Sequence, residues 1–124
     1  MNRLALLLSF VIWLAPISAV KADTPPTNSF TKLGKHRMHK IEWLHRKADR
    51  LVIDARFRQA IRVYQEIIFL EPDDKWAYER MGSTYMILGD YPRAKNAFQS
   101  ALAIDPGDED AMRGLRKITD PDAL

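Results

Sequence analysis

Apolar residues from position 35 to position 124 recur every three or four residues, which is the spacing of one face of an α-helix. Two short polar turns interrupt this pattern, at residues 71–74 (EPDD) and 105–108 (DPGD). Each turn contains a proline, which lacks the amide hydrogen and clashes with the preceding helical turn, so each marks the end of a helix. The pattern predicts helices at 38–53, 57–70, 75–88, 91–104 and 109–118, and the fold class is therefore all-α.

The two turns are 34 residues apart, and the same offset relates many other positions of the chain. Residues of similar size stand at this offset in eight pairs: Leu44 and Tyr78, Ala48 and Gly82, Leu51 and Tyr85, Phe57 and Tyr91, Ala60 and Ala94, Tyr64 and Phe98, Ile67 and Ala101, Pro72 and Pro106. Self-similarity at a fixed period of about 20–50 residues indicates a repeat architecture. We therefore expect two helical hairpins of related structure, at 41–74 and 75–108.

The second unit carries a recognisable pattern: Tyr78-x2-Met81-Gly82-x2-Tyr85, then Ala94-x3-Phe98, then Pro106. It closely resembles the tetratricopeptide repeat pattern W-x2-L-G-x2-Y, A-x3-F and P, with Tyr in place of Trp and Met in place of Leu. The first unit is more divergent, because Lys47 stands where an apolar residue is expected. The resemblance implies an α-solenoid fragment of two repeats, closed by a polar-faced capping helix at 109–118 and a tail at 119–124.

Elementary packing arguments support the same architecture. Small residues stand where two helices must cross closely: Ala48, Ala60, Gly82, Ala94 and Ala101. Asp73, Asp74 and Asp108 stand near the predicted helix starts, where carboxylates accept hydrogen bonds from free amides and complement the helix dipole.

The first 22 residues have the layout of a secretory signal peptide: a basic start, an apolar run at 4–17, and small residues at Val20-Lys21-Ala22. The run is 14 residues long, short of the roughly 20 that span a bilayer. We expect cleavage after Ala22, with residues 17–19 as a second site, and an uncleaved anchor as the alternative. Residues 23–37, rich in Pro, Thr and Ser at their start, are expected to be a linker. The predicted location is export to a bacterial periplasm, or membrane anchorage facing it.

Charge and cysteine content narrow the function classes. The chain has no cysteine, which excludes disulfides, thiolate metal sites and a cysteine nucleophile. Its net charge of +3 includes Arg3 and Lys21 of the signal segment, and without them 17 basic residues face 16 acidic ones. The remaining charge is uneven, at +5 for residues 23–70 and −4 for residues 71–124. An acidic partner, anionic lipid, head-to-tail self-association and a merely solvated helix face all fit this asymmetry, whereas a nucleic-acid partner is not expected for an exported protein.

The remaining motifs do not indicate catalysis or metal binding. His36 and His39 share a helical face but have no third ligand at a suitable spacing and lie in a basic stretch. The paired carboxylates near residues 73 and 108 are explained as helix caps, and no phosphate-binding glycine loop or catalytic triad is apparent. We predict no enzyme activity, no cofactor and no metal.

The resemblance also implies a binding surface, because the first helices of tetratricopeptide units line a concave groove where ligands dock. The shared offset assigns ten groove residues: Glu42, His45, Asp49, Val52, Trp76, Glu79, Ser83, Met86, Arg113 and Lys117. Trp43 and Phe69 are further candidates for exposed anchors. The Lys/Asn clamp that some members use on a chaperone's C-terminal carboxylate is absent, since His45 and Asp49 stand at its positions.

The function predicted from this surface is that of a non-catalytic adaptor or scaffold for a protein or peptide partner. The predicted groove is mixed, with an apolar anchor at Trp76 and Met86, negative charge at Glu42, Asp49 and Glu79, and a basic end at Arg113 and Lys117. The expected ligand is a peptide with an apolar residue and some basic character. The alternatives are a self-assembling scaffold, for instance a homo-oligomer, or a membrane-anchored one with an uncleaved N-terminal helix.

Overall fold

Five α-helices follow one another in a computed structural model that describes residues 27–120 and 122 of the 124-residue chain. They are α1 (Thr27–Ile53), α2 (Phe57–Leu70), α3 (Lys75–Ile87), α4 (Tyr91–Ile104) and α5 (Glu109–Thr119). The all-α prediction is confirmed, and the predicted helix ends agree within one residue apart from the start of α1. The predicted signal peptide and its cleavage site lie outside the described residues.

The start of α1 corrects the predicted linker at 23–37, because residues 27–37 are helical. Two prolines precede this stretch but none lies within it, and extending a helix that packing has already nucleated costs little. The extension is also attached to the hairpin. The Arg37 guanidinium donates a hydrogen bond to the carbonyl of Leu70 at the open end of α2, and Lys40 Nζ lies 3.1 Å from Glu66 Oε1. Among the described helices, none is long and apolar enough to cross a membrane.

Helices adjacent in sequence pack against one another, and their buried residues form two clusters. The first cluster joins α1, α2 and α3 around Leu44, Tyr64 and Ile67, each at most 1% exposed. The second joins α4 and α5 around Phe98, with Tyr78 and Tyr85 of α3 packed against it. The small residues predicted at helix crossings are buried, as expected: Ala48, Ala60, Gly82, Ala94 and Ala101. Since α3 contributes to both clusters, it links the cores of the two repeats.

The turns within the two hairpins show that the repeats are structurally equivalent. Ala55, between α1 and α2, has a φ of 56°, and Gly89, between α3 and α4, has a φ of 73°. These residues are 34 positions apart, so the same left-handed residue closes each hairpin. Glycine adopts this conformation freely, whereas alanine pays a steric cost of roughly 1 kcal/mol. The divergent first unit therefore keeps the turn geometry at a residue that does not favour it.

Aspartates begin three of the helices. Asp74 accepts from the amide of Ala77, Asp90 accepts from the amide of Arg93, and Asp108 accepts from the amides of Asp110 and Ala111. The caps predicted at Asp74 and Asp108 are confirmed. Asp73 is exposed and Asp74 caps α3 in its place, while the cap at Asp90 was not predicted.

Phe98 of α4 lies between two glycines on neighbouring helices. A Cβ atom on Gly82 of α3 would stand 2.9 Å from the ring, and one on Gly114 of α5 would stand 2.4 Å from it. The close approach at Gly82 follows from the repeat pattern. Gly114 was not predicted, because the 34-residue offset from Gly82 leads to Arg116, which is exposed. The ring thus sets how closely α3 and α5 can approach α4.

We expect Gly114→Ala to lower the free energy of unfolding by about 1–2 kcal/mol. Overpacking against the fixed ring costs roughly 1–3 kcal/mol, which exceeds the gain in helix propensity of about 1 kcal/mol. Gly34→Ala is the matched control, since Gly34 is also helical and a Cβ there meets nothing within 4 Å. Thermal denaturation followed by circular dichroism should show a lower Tm for the first variant and an unchanged or higher Tm for the second.

Candidate functional site

A hollow of about 480 Å³ opens between α3 and α5, with α4 beneath it. We call it the α3–α5 groove. Six of the ten predicted groove residues line it: Trp76, Glu79, Ser83 and Met86 from α3, and Arg113 and Lys117 from α5. They meet there because residues three or four apart lie on one face of a helix. The buried ring of Phe98 forms part of the floor.

The α3 wall of the α3–α5 groove is apolar near both of its ends. Trp76 is 54% exposed on the wall, and Lys75 Nζ lies 5.6 Å from the centroid of its ring. Met86 and Ile87 line the same hollow toward the end of α3. A half-exposed tryptophan above an aromatic floor is suited to hold a large apolar side chain of a ligand.

The groove contains the predicted basic end at Arg113 and Lys117, and Arg80 adds a further positive charge. Arg113 Nη1 pairs with Asp110 Oδ1 at 2.8 Å, whereas Arg80 and Lys117 make no ion pair within the described part of the chain. The groove therefore has an excess of positive charge, which does not favour the basic peptide that the sequence predicts as its ligand. Arg80 was missed, although its position four residues after Trp76 places it on the same helical face.

Glu79 lies at the groove but is largely buried, with 6% of its surface exposed. Burial, and then the neighbouring Asp108 carboxylate, raise the pKa of Glu79 to about 7. The hydrogen bond from Glu79 lowers the pKa of Asp108, which burial opposes. Asp108 Oδ2 is buried and accepts no hydrogen bond from the described residues. Lys75 Nζ lies 3.5 Å from this oxygen. Protonation of Glu79, which its raised pKa favours near neutral pH, would give this side chain a hydrogen to donate toward Asp108.

His45 occupies the equivalent place in the first repeat. Its Nε2 lies 2.7 Å from Asp74 Oδ2, and this hydrogen bond is the main cause that raises the pKa of His45. His45 and Glu79 are 34 residues apart, as are Asp74 and Asp108. In each repeat, then, a side chain from the first helix reaches the aspartate that caps the first helix of the next unit. We call these two contacts the inter-repeat junctions.

The other first-unit candidates are also placed away from the α3–α5 groove. Asp49 Oδ1 accepts a hydrogen bond of 3.2 Å from the Tyr64 hydroxyl, and burial and Asp49 together raise the pKa of Tyr64. Val52 packs against the first core cluster. Glu42 is exposed, with Oε2 3.9 Å from His39 Nδ1. The structure therefore gives His45, Asp49 and Val52 intramolecular partners and gathers only the second-unit and cap residues into one hollow.

Two further expectations concern exposed aromatic residues and metals. Trp43 and Phe69 are 52% and 85% exposed, as predicted for surface anchors, and neither lines the α3–α5 groove. Within residues 27–120 and 122, no group of three or more His, Cys, Asp or Glu side chains is placed to hold a metal ion.

Residues 76–108 match the family model of the tetratricopeptide repeat. The all-α fold of five helices is consistent with a tetratricopeptide helical array. The matched segment is the second hairpin, which supplies the α3 wall and the floor of the groove. The chain is also 33% identical over 60 residues to the Hsp70-Hsp90 organizing protein of Triticum aestivum. This similarity covers 48% of the chain and 10% of the relative, so the chain spans about a tenth of that protein's length. Tetratricopeptide repeats generally mediate protein–protein interaction.

Proposed function

We propose that this protein is a non-catalytic adaptor that binds a peptide segment of a partner protein in the α3–α5 groove. The observation that supports the proposal best is the meeting of six register-predicted side chains around one open hollow. The hollow is of the size that peptide side chains fill, and it combines an exposed tryptophan with unpaired cations. Adaptor function is common in tetratricopeptide arrays, which usually act without catalysis.

The charges of the groove define the ligand further. Arg80 and Lys117 make no ion pair with the described residues and can pair with an incoming anion, whereas Arg113 is held by Asp110. Trp76 and the Phe98 floor favour a large apolar side chain. The ligand that fits both features is a peptide with a bulky apolar residue next to a carboxylate, either from Asp or Glu or from a chain terminus. The organising role named for the wheat relative is not transferred, since the similarity covers a tenth of that protein.

Trp76→Ala should weaken binding of such a peptide by at least tenfold, because truncating an exposed aromatic anchor removes about 2 kcal/mol or more. Phe69→Ala is the control, since Phe69 is an exposed aromatic residue that lies outside the groove. Partners captured from cell-envelope extract by the wild-type protein should be absent with Trp76→Ala and present with Phe69→Ala. Titration calorimetry with the captured segment then gives the Kd. Equal retention of every partner by both variants would show that the groove is not the binding surface.

Export is the second part of the proposal, and its support is the pattern of residues 1–22. The charged start, the short apolar run and the small residues before Asp23 together fit a cleaved leader. N-terminal sequencing of the protein recovered from cells is expected to begin at Asp23. A sequence that begins at Met1, with the protein in the membrane fraction, favours the anchored alternative.

A self-assembling scaffold is the alternative function, and the uneven charge of the two halves supports it. Charge pairing between copies weakens with salt, because exposed charges more than about 8–10 Å apart are screened at physiological ionic strength. Sedimentation equilibrium at low and high salt separates the two functions. A monomer at every salt concentration contradicts assembly by charge pairing.

A further inference from the structure

Three shallow hollows join along the side of the array that carries the turns within the hairpins. The first, of about 340 Å³, is lined by residues of α1 and by Arg56. The second, of about 310 Å³, also includes Arg56 and extends to Arg58 and Leu88. The third, of about 350 Å³, shares Arg58 and Leu88 with the second. The shared residues make this one continuous surface, which we call the basic edge.

The basic edge carries cations that the fold does not use. Five of them have no ion pair within the described part of the chain: Arg46, Lys47, Arg50, Arg56 and Arg58. Two acidic residues lie among them. Asp54 lines the first hollow, and Asp90 is occupied by capping α4 and by Arg93 Nη1 at 2.9 Å. An excess of unpaired cations on one surface attracts a polyanionic partner.

Large apolar side chains stand among these cations. Ile53, the last residue of α1, is 83% exposed, and Leu88 is 43% exposed after the end of α3. Trp43 is 52% exposed, with Lys47 Nζ 4.9 Å from the centroid of its ring. None of the described residues covers the Ile53 side chain. Interleaved arginine, tryptophan and aliphatic side chains are the composition of surfaces that lie in a membrane interface.

We propose that the basic edge docks on a bilayer surface rich in anionic lipid. The arginines contact lipid phosphates, while Ile53 and Trp43 enter the boundary between headgroups and acyl chains. An acidic polypeptide is the competing partner. The edge suits a bilayer better, because its charges extend over α1, α2 and the start of α4 without one deep cleft, and because Ile53 is largely exposed at the end of α1. This docking is peripheral and does not involve the α3–α5 groove, so it holds whether or not the proposed peptide binding is correct.

The absence of cysteine from the chain permits a site-specific test. An environment-sensitive fluorophore attached to Ile53→Cys in the full-length protein reports the environment of the edge, independently of any contact that residues 1–22 make. With vesicles containing phosphatidylglycerol, we expect a blue shift that high salt reverses and that pure phosphatidylcholine vesicles do not produce. The same label at Ser83→Cys, on the α3 wall of the groove, is expected to show no shift.

Charge variants of the labelled protein provide the second arm. The pair R50E and R56E should weaken the vesicle-induced shift by roughly tenfold or more in lipid concentration, since each surface cation contributes several-fold to binding anionic lipid. The pair K32E and K35E is the matched control: it makes the same change in net charge, on α1 at about 22–27 Å along the helix from Arg50 at 1.5 Å per residue. An equal loss in both pairs, an equal shift at both label positions, or a shift with soluble poly-glutamate but not with vesicles would overturn the proposal.

Discussion

The Phe98→Ala variant is expected to lose about 3–5 kcal/mol of unfolding free energy, which is the usual cost of removing a buried aromatic ring. Phe98 is 2% exposed and lies at the centre of the second core cluster. Its ring also fills the space over Gly82 and Gly114, which have no side chains to collapse into the cavity. A loss of this size is a large fraction of the roughly 5–15 kcal/mol that stabilises a typical small domain.

Urea denaturation monitored by circular dichroism measures this loss, with Phe69→Ala as the matched control. Phe69 is 85% exposed on α2, so the same truncation there should change stability by no more than about 0.5 kcal/mol. If Phe98→Ala is already unfolded without urea, Phe98→Leu retains most of the apolar volume and gives a measurable intermediate loss. Equal losses at positions 98 and 69 would contradict the packing described for the second cluster.

The pH dependence of stability is expected to follow the inter-repeat junctions. The folded state raises the pKa of Glu79 from 4.5 to about 7. A raised pKa means that the folded state binds the proton more tightly, so stability falls as pH rises between these two values. The loss amounts to about 3 kcal/mol between pH 4.5 and 7–8. The pKa of His45 is raised above 6.5, so its contribution to stability also falls as the pH rises above that value.

The Glu79→Gln variant tests whether Glu79 causes the pH dependence of stability, because a glutamine at position 79 offers Asp108 a hydrogen-bond donor at every pH. Chemical denaturation between pH 5 and 8 should show a steep decline for the wild type and a shallower one for Glu79→Gln, limited to the His45 contribution. Glu71→Gln is the control, since Glu71 is exposed and should leave the wild-type slope unchanged. Asp74 and Asp108 have lowered pKa values and affect stability with the opposite sign, as pH falls through the acid range. Parallel profiles for Glu79→Gln and the wild type would exclude the carboxyl pair as the source.

The repeat architecture could be predicted from the sequence because it depends on spacing. Pro72 and Pro106 end helices through their own covalent structure, and small residues such as Ala48 and Ala94 mark crossings that no larger side chain could occupy. The second-unit half of the groove followed from the same spacing. Trp76, Glu79, Ser83 and Met86 lie on one helical face, so any helix over these residues places them together.

The first-unit half of the groove could not be predicted, because a shared register does not specify a side chain's partner. His45 and Asp49 stand at groove positions, but Asp74 and Tyr64 lie close enough to bond with them. Gly114 could not be predicted from the repeat, since α5 approaches Phe98 at a position that the 34-residue offset does not indicate. The helical start of α1 ends at Arg37, which donates a hydrogen bond to the carbonyl of Leu70 on α2, a contact that local composition does not reveal.

The position of Phe98 between two glycines has a consequence for ligand selectivity. The thickness of one aromatic ring fixes the distance at which α3 and α5 stand apart, and therefore the width of the groove whose walls they form. A smaller side chain at position 98 would let the walls move together, and a larger one would force them apart. A buried residue beneath the groove therefore determines the groove's width. Homologous arrays with a different residue at this position would accept narrower or wider ligands without any change in the residues of the groove's walls.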